Sequence, residues 1–215
     1  MLGMTIGTDN DRAYGQLDLR VTYHDLLDNP VGYPRGAQIA MGNSEIGYTE
    51  GGDLALNRFD LIDIVSLSEI DRFLASPSWH VKTGYERVFA PEPPEAGQRT
   101  GAYYVKAGGG AATRIPGNLT VYAFLDARLE SNSHFKTFLT PAAGVSGGLL
   151  GRTPWGTTRT GVESDYFAND EYRATFSIEQ NVEFGANDAL RLGYFSTWIR
   201  GQQHDELRLS YRHHF

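Results

Sequence analysis

Apolar and polar side chains alternate along most of this 215-residue chain. The period of two is the signature of strands with unlike faces, and three segments carry it most cleanly. From 13 to 24, Ala13, Gly15, Leu17, Leu19, Val21 and Tyr23 oppose Tyr14, Gln16, Asp18, Arg20, Thr22 and His24. From 119 to 130, Leu119, Val121, Ala123, Leu125, Ala127 and Leu129 oppose Thr120, Tyr122, Phe124, Asp126, Arg128 and Glu130. From 172 to 184, Tyr172, Ala174, Phe176, Ile178, Val182 and Phe184 oppose Arg173, Thr175, Ser177, Glu179, Asn181 and Glu183. Weaker alternation marks 37–49, where the phase slips between Met41 and Ile46 as at a bulge, and 54–65, 78–89, 99–112, 138–149, 156–166 and 188–199. With a first strand over Leu2–Thr8 and a last over Leu207–Phe215, the pattern predicts twelve strands. A helical period competes only over 66–74, where Ser66 and Glu69 have capping-box spacing and Leu67, Ile70 and Leu74 share a face. That stretch predicts a short amphipathic helix in a connection.

The last run, Leu207, Leu209, Tyr211, His213 and Phe215 against Glu206, Arg208, Ser210, Arg212 and His214, is apolar on one face and polar on the other, and ends in an aromatic. It resembles the closing strand of an outer-membrane β-barrel, with Tyr211 and Phe215 as the membrane-assembly signal. An even strand count fits, since about 9–11 tilted residues cross a bilayer and bacterial single-chain barrels have even numbers. Lipid offers no hydrogen bonds, so the sheet must close by pairing its first and last strands. The expected fold is an all-β, antiparallel, up-and-down transmembrane barrel forming one domain over 1–215, in the outer membrane of a Gram-negative bacterium. Tyr23, Tyr48, Phe89, Tyr166, Phe184 and Tyr211 stand near strand ends, where interfacial girdles would place them. A soluble sandwich would also alternate, with its aromatics in the core.

Composition is compatible with the membrane reading. Mean hydropathy is −0.38 and the formal net charge is −7, and the sequence contains no run long enough for an apolar helix to span. Barrel strands escape such a scan because lipid-facing and lumen-facing residues average out. The absence of Cys removes disulfides, thiolate metal sites and a cysteine nucleophile. The acidic balance disfavours nucleic acid as a partner, and no cofactor is expected. The alternating Leu2, Met4 and Ile6 leave no room for a signal peptide. An exported barrel needs one, so the chain is expected to be part of a longer precursor. Outer-membrane lipid and the barrel-assembly machinery are the partners the fold implies.

The polar phase places Asp18, Arg20, His24, His80, Lys82, Glu86, Asp126 and Arg128 in the lumen, with Lys106, Glu130, Arg173, Glu179, Arg191, Arg208 and Arg212. Both signs are abundant, and an interior network of ion pairs is expected. Asp18, His24 and His80 share that phase and are candidates for a proton relay or metal site, with a polar network as the plainer expectation. Ser133 and His134 are adjacent near Glu130, yet neighbours on a strand point to opposite faces. The same geometry separates His213 from His214. Gly108–Gly110 lack the Lys-Ser/Thr and helix of a phosphate loop and read as strand glycines that permit bends or close packing. Asp60, Asp63, Asp71 and Arg72 read as structural salt-bridge partners. None of these arrangements makes a catalytic constellation.

If both termini are periplasmic, the connections Asn10–Asp11, Glu50–Asp53, 90–98, Ser131–Phe135, Ala168–Glu171 and Gly201–Asp205 face outward. The two elaborate ones, 25–36 (LLDNPVGYPRGA) and 66–77 (SLSEIDRFLASP), then face the periplasm. Ordinary barrels have the reverse bias. The stretches VTYHDLLDNPVGYPRGAQI (21–39), NRFDLIDIVSLSEIDRFLASPSWHVKTGYER (57–87) and VYAFLDARLE (121–130) resemble the C-terminal barrel domain of bacterial proteins known as Lnb N-terminal periplasmic domain-containing. The resemblance implies a papain-like domain with a Cys and His pair, preceding the barrel in the same precursor. Its catalytic residues have no counterpart here, so only an anchoring and scaffolding role carries over. Tyr33, Pro34, Arg35, Glu69, Asp71, Arg72 and Phe73 are the candidate docking residues. A barrel-embedded lipid-modifying or proteolytic enzyme and a narrow pore or transporter are the rival expectations.

Overall fold

A computed structural model describes residues 1–10, 12–22, 24–28, 33–34, 36–49, 54–70, 76–89, 99–132, 137–185 and 187–215. Among these it contains twelve strands: β1 (Leu2–Asp9), β2 (Arg12–Thr22), β3 (Ala37–Thr49), β4 (Leu54–Ser66), β5 (Ser78–Phe89), β6 (Arg99–Ile115), β7 (Leu119–Asn132), β8 (Thr140–Thr153), β9 (Gly156–Phe167), β10 (Tyr172–Glu183), β11 (Asp188–Ile199) and β12 (Gln202–His213). Each pairs antiparallel with its sequence neighbour, and β1 pairs with β12 from Leu2↔His213 to Asp9↔Glu206, so the sheet closes without an edge. Both termini therefore lie at one end of the barrel, called here the terminal end.

Side chains sort by parity as the sequence predicts. On β7, Leu125 is 75% exposed on the outer face while Phe124 is 5% exposed inside. Met4, Ile6, Val21 and Val162 are exposed like Leu125, whereas Asp18, Arg20, Lys106, Asp126, Arg128 and Glu130 are buried within the ring. An inverted arrangement of apolar outside and charged inside is stable only where hydrocarbon bathes the outer face. The phase slip in β3 is a register shift between Glu45 and Ile46, and a second shift lies between Asp60 and Ile62. Arg200 (φ 49°) and Gly201 (φ 81°) make a two-residue turn between β11 and β12, the left-handed pair that fits strand twist.

Three expectations change. Ser66 ends β4, and Glu69 forms a parallel bridge with Ala112 of β6. So 66–70 are extended, because the β6 edge offers backbone partners that an isolated helical turn lacks; Leu74 lies outside the described residues. The final strand spans 202–213 rather than 207–215, since the tight turn at Arg200–Gly201 lets pairing start at Gln202↔Ile199. Phe215 follows it at 89% exposure. Phe89 faces the lumen mouth, stacked on His204 at 3.7 Å, instead of joining a girdle. Tyr48, Tyr166, Phe184 and Tyr211 are exposed near strand ends, and Tyr23 lies outside the described residues.

Candidate functional site

Charged side chains that a bilayer would reject are gathered inside, and glycine makes room for them. His80, Gly108, Asp126, Gly144 and Asp165 form one row of register partners from β5 to β9. A Cβ at 108 would overlap both the Asp126 carboxylate and the His80 ring, and one at 144 would overlap Asp165. His80 Nε2 lies 2.9 Å from Asp126 Oδ1. Lys106 Nζ reaches Asp126 at 3.2 Å, Asp165 at 3.0 Å and Glu163 at 2.8 Å. Arg128 binds Glu86 and Glu130, each at 2.5 Å, while Arg173 donates to Glu130 at 3.0 Å. The Arg128 guanidinium stacks over the Tyr104 ring, whose hydroxyl donates to Asp60 at 2.8 Å. Lys82 completes this belt through Asp63 at 3.4 Å.

The acids of the belt sit behind its cations: Lys106, Arg128 and Arg173 line the central chamber, whereas Asp60, Asp126, Glu130 and Asp165 do not. Between them the lumen keeps a chamber of about 1000 Å³ whose lining holds ten Lys or Arg residues and six Asp or Glu residues. A net-acidic chain therefore encloses a cation-rich surface. At the end opposite the termini, Arg99 spans the lumen to Asp9 at 2.9 Å and covers the Phe89 ring that stacks on His204.

At the terminal end, the chain leaving β2 turns back into the lumen. Leu26 and Leu27 are each 2% exposed and pack with Leu67, Ala112, Phe124 and Leu150, with Val65 and Tyr122 against them. The knot is locally self-capped: Asp25 Oδ1 accepts the Leu27 and Asp28 amides at 2.8 and 3.1 Å, and Asp28 Oδ2 accepts the Asp25 amide at 2.9 Å. Three arginines from three strands hold the two carboxylates. Arg191 of β11 reaches Asp25 at 2.8 Å and Asp28 at 3.1 Å. Arg20 of β2 reaches Asp25 at 3.1 Å and Asp28 at 2.5 Å. Arg212 of β12 reaches Asp25 at 3.2 Å. Residues 24–28 thus form a stopper whose Leu26 is one boundary of the chamber.

The predicted lumen residues are all inside, but they divide. His80, Lys82, Glu86, Asp126 and Arg128 share the central belt, and Arg20 belongs to the stopper. Asp18 accepts from Thr5 and Gln16 at 2.5 and 2.6 Å, while His24 stacks on Tyr33 at 3.9 Å. The relay of Asp18, His24 and His80 does not assemble, because His80 is carried to Asp126 by the row through Gly108. Asp60 and Asp63 serve the belt, in keeping with a salt-bridge role. Of the docking candidates, Tyr33 is exposed, the Pro34 carbonyl accepts the Ala37 amide at 3.2 Å, and Glu69 pairs with Arg114. Arg35, Asp71, Arg72 and Phe73 lie outside the described residues, as do Ser133 and His134. Sequence reasoning missed Asp25, Leu26, Leu27 and Asp28; their signal was an apolar pair between two acids, DLLD, in an otherwise polar connection.

Comparison with solved structures places the fold among outer-membrane barrels. The NanC porin superposes with a TM-score of 0.54 at 10% identity over 100% of both chains. The KdgM porin in complex with disordered oligogalacturonate gives 0.52 at 11% identity over 99% of both. The molecule has the fold of the outer-membrane β-barrels of Gram-negative bacteria. No curated protein matches the chain. The model of the domain of unknown function DUF7840 matches residues 1–214, and the chain belongs to that family.

Proposed function

We propose that this barrel anchors and scaffolds a periplasmic partner domain, papain-like and encoded in the same precursor, and that its terminal end faces the periplasm. One observation carries the reading: the lumen is stoppered at that end by residues 24–28, so the connection has been given to a built structure rather than to an open mouth. The exposed Tyr33 and Ile70 and the Glu69–Arg114 pair stand on the same rim, where a docked domain would meet them. Interfaces anchor on such aromatic and arginine side chains. The role is non-catalytic.

The test is co-purification of the periplasmic domain with the barrel in detergent. The wild-type chain should retain the domain, and the combined substitutions Tyr33→Ser, Ile70→Ser and Glu69→Lys should release it while leaving heat-modifiable migration of the folded barrel unchanged. Failure of the wild-type pair to associate would sink the reading. A narrow pore is the second reading, favoured by the cation-rich chamber. KdgM, a porin solved with an acidic oligosaccharide, is consistent with anions as its solutes.

A further inference from the structure

We infer that the barrel holds a latent path for small anions, closed by residues 24–28 acting as a releasable stopper. This adds to the anchoring role and does not depend on it. The path is already built on one side of the block. The chamber runs from Arg12 and Ala13, at the start of β2 opposite the termini, to Leu26 of the stopper. Across the bore from the wall that Leu26 and Leu27 pack against, the same segment is held by Arg20, Arg191 and Arg212. A solute moving from the chamber toward the terminal end would therefore pass from a cation-rich lining to a plug flanked by three more arginines. A lumen lined by one excess sign raises the local concentration of the opposite ion; Arg58, Lys82, Lys106, Arg128 and Arg173 belong to the chamber lining, whereas the acids they hold, Asp60, Asp126, Glu130 and Asp165, do not.

The stopper has the construction of a separable part. It is a five-residue turn capped by its own carboxylates, and it belongs to no strand. Its grip on the wall has two components. The apolar one is the burial of Leu26 and Leu27 against Phe124, Leu150, Ala112 and Leu67. The ionic one joins Asp25 and Asp28 to β2, β11 and β12. Among the described residues no hydrogen bond between barrel strands has to break for residues 24–28 to withdraw; their ties to β3 are the Ile39 amide donating to the His24 carbonyl at 3.1 Å and the Leu26 amide donating to Gln38 Oε1 at 3.3 Å. The exposed Tyr33, stacked on His24, gives a partner at the rim a handle on the same segment.

The experiment is single-channel recording of the purified chain in planar phosphatidylcholine bilayers with KCl as the only salt. Wild-type insertions should be closed for nearly all of the record. The double variant Asp25→Asn, Asp28→Asn should increase the open time by about tenfold or more, equivalent to ~1.4 kcal/mol of lost latching. Under a KCl gradient its reversal potential should have the sign for chloride. A second variant, Leu26→Ser with Leu27→Ser, keeps the acids and loosens only the apolar grip; it should open too. Folded barrels, verified by heat-modifiable migration, that stay closed in both variants would overturn the proposal. So would open channels that select potassium. Neither result bears on the co-purification of the periplasmic domain, so the two readings fail separately.

Discussion

The two ends of the lumen solve the same problem with different chemistry. At the terminal end, five residues outside any strand fill the bore with leucine and tie themselves down with two acids and three arginines. At the opposite end, side chains of the strands themselves reach across, Arg99 to Asp9 and Phe89 to His204, and a chamber of about 1000 Å³ is left between. A bore crossed by long side chains leaves room for water between them, whereas a bore filled by a returning segment closes that room with leucine and keeps its charges paired against the wall. The first is part of the wall; the second is an added piece that the wall grips.

Removing one arginine from the latch should show that difference most strongly. Arg191 touches both Asp25 and Asp28 and is 6% exposed. Arg191→Ala leaves two buried carboxylates with less compensation, and breaking a buried pair from one side costs about 3–5 kcal/mol. Urea unfolding in lipid vesicles should register a loss of that order. A loss below about 1 kcal/mol, the range of exposed pairs, would mean the latch is solvated.

The outer face supplies the next effect. Leu125→Arg places a guanidinium in hydrocarbon and should cost ~2–4 kcal/mol near the midplane. Phe124→Arg faces the stopper, where it removes an apolar neighbour of Leu26 and Leu27 but meets water and acids in the chamber, and should be milder. Equal tolerance at the two positions would contradict the lipid-facing assignment of Leu125.

Gly108 tests the central belt that separates the two ends. Gly108→Ala forces its new methyl against Asp126 and His80, and overpacking of that kind typically costs about 1–3 kcal/mol. Gly109 points outward with open space beside it. Gly109→Ala should therefore change stability little, and the pair measured together by unfolding gives the parity of β6 directly.

How much of this could be read in advance follows from which physics is local. Strand phase is local: a one-residue slip would turn Leu125 inward and Asp126 outward, so parity fixed the faces from sequence. The closure of β1 on β12 followed from the bilayer. Pairings across the lumen are not local. His80 and Asp126 meet because Gly108 lies between them in register, and no spacing along the chain reveals that. In the sequence the stopper is indistinguishable from an ordinary surface connection, because loops are ordinarily polar surface; only the Leu26–Leu27 pair between acids marks it as a segment with something to bury. The helix expected over 66–74 lost, in its described part, to a bridge with Ala112 that the capping-box spacing cannot register.

The smallest effect is a pH dependence confined to the stopper, with the same sign but a different pH window for its two kinds of titratable group. Burial pushes the Asp25 carboxyl up, but Arg191, Arg20 and Arg212 outweigh it and hold the group well below the usual carboxylate range. Its contribution is thus present above about pH 4 and is lost only as the pH falls further. His24 is buried against Tyr33, and burial lowers its pKa. A histidine kept neutral in the folded state gives stability that is complete above its ordinary value near 6.5 and declines as the pH falls below it. Asp28, His214 and the three arginines face the same pocket; burial also lowers the His214 pKa, so its change has the sign of His24. Open time of the wild-type barrel should therefore rise modestly between pH 7 and pH 5. In His24→Phe, which keeps a ring on Tyr33 but has no proton to gain, most of that rise should disappear. A rise that survives unchanged in His24→Phe would move the titration to His214, and one that begins only below pH 4 would assign it to the latch carboxylates.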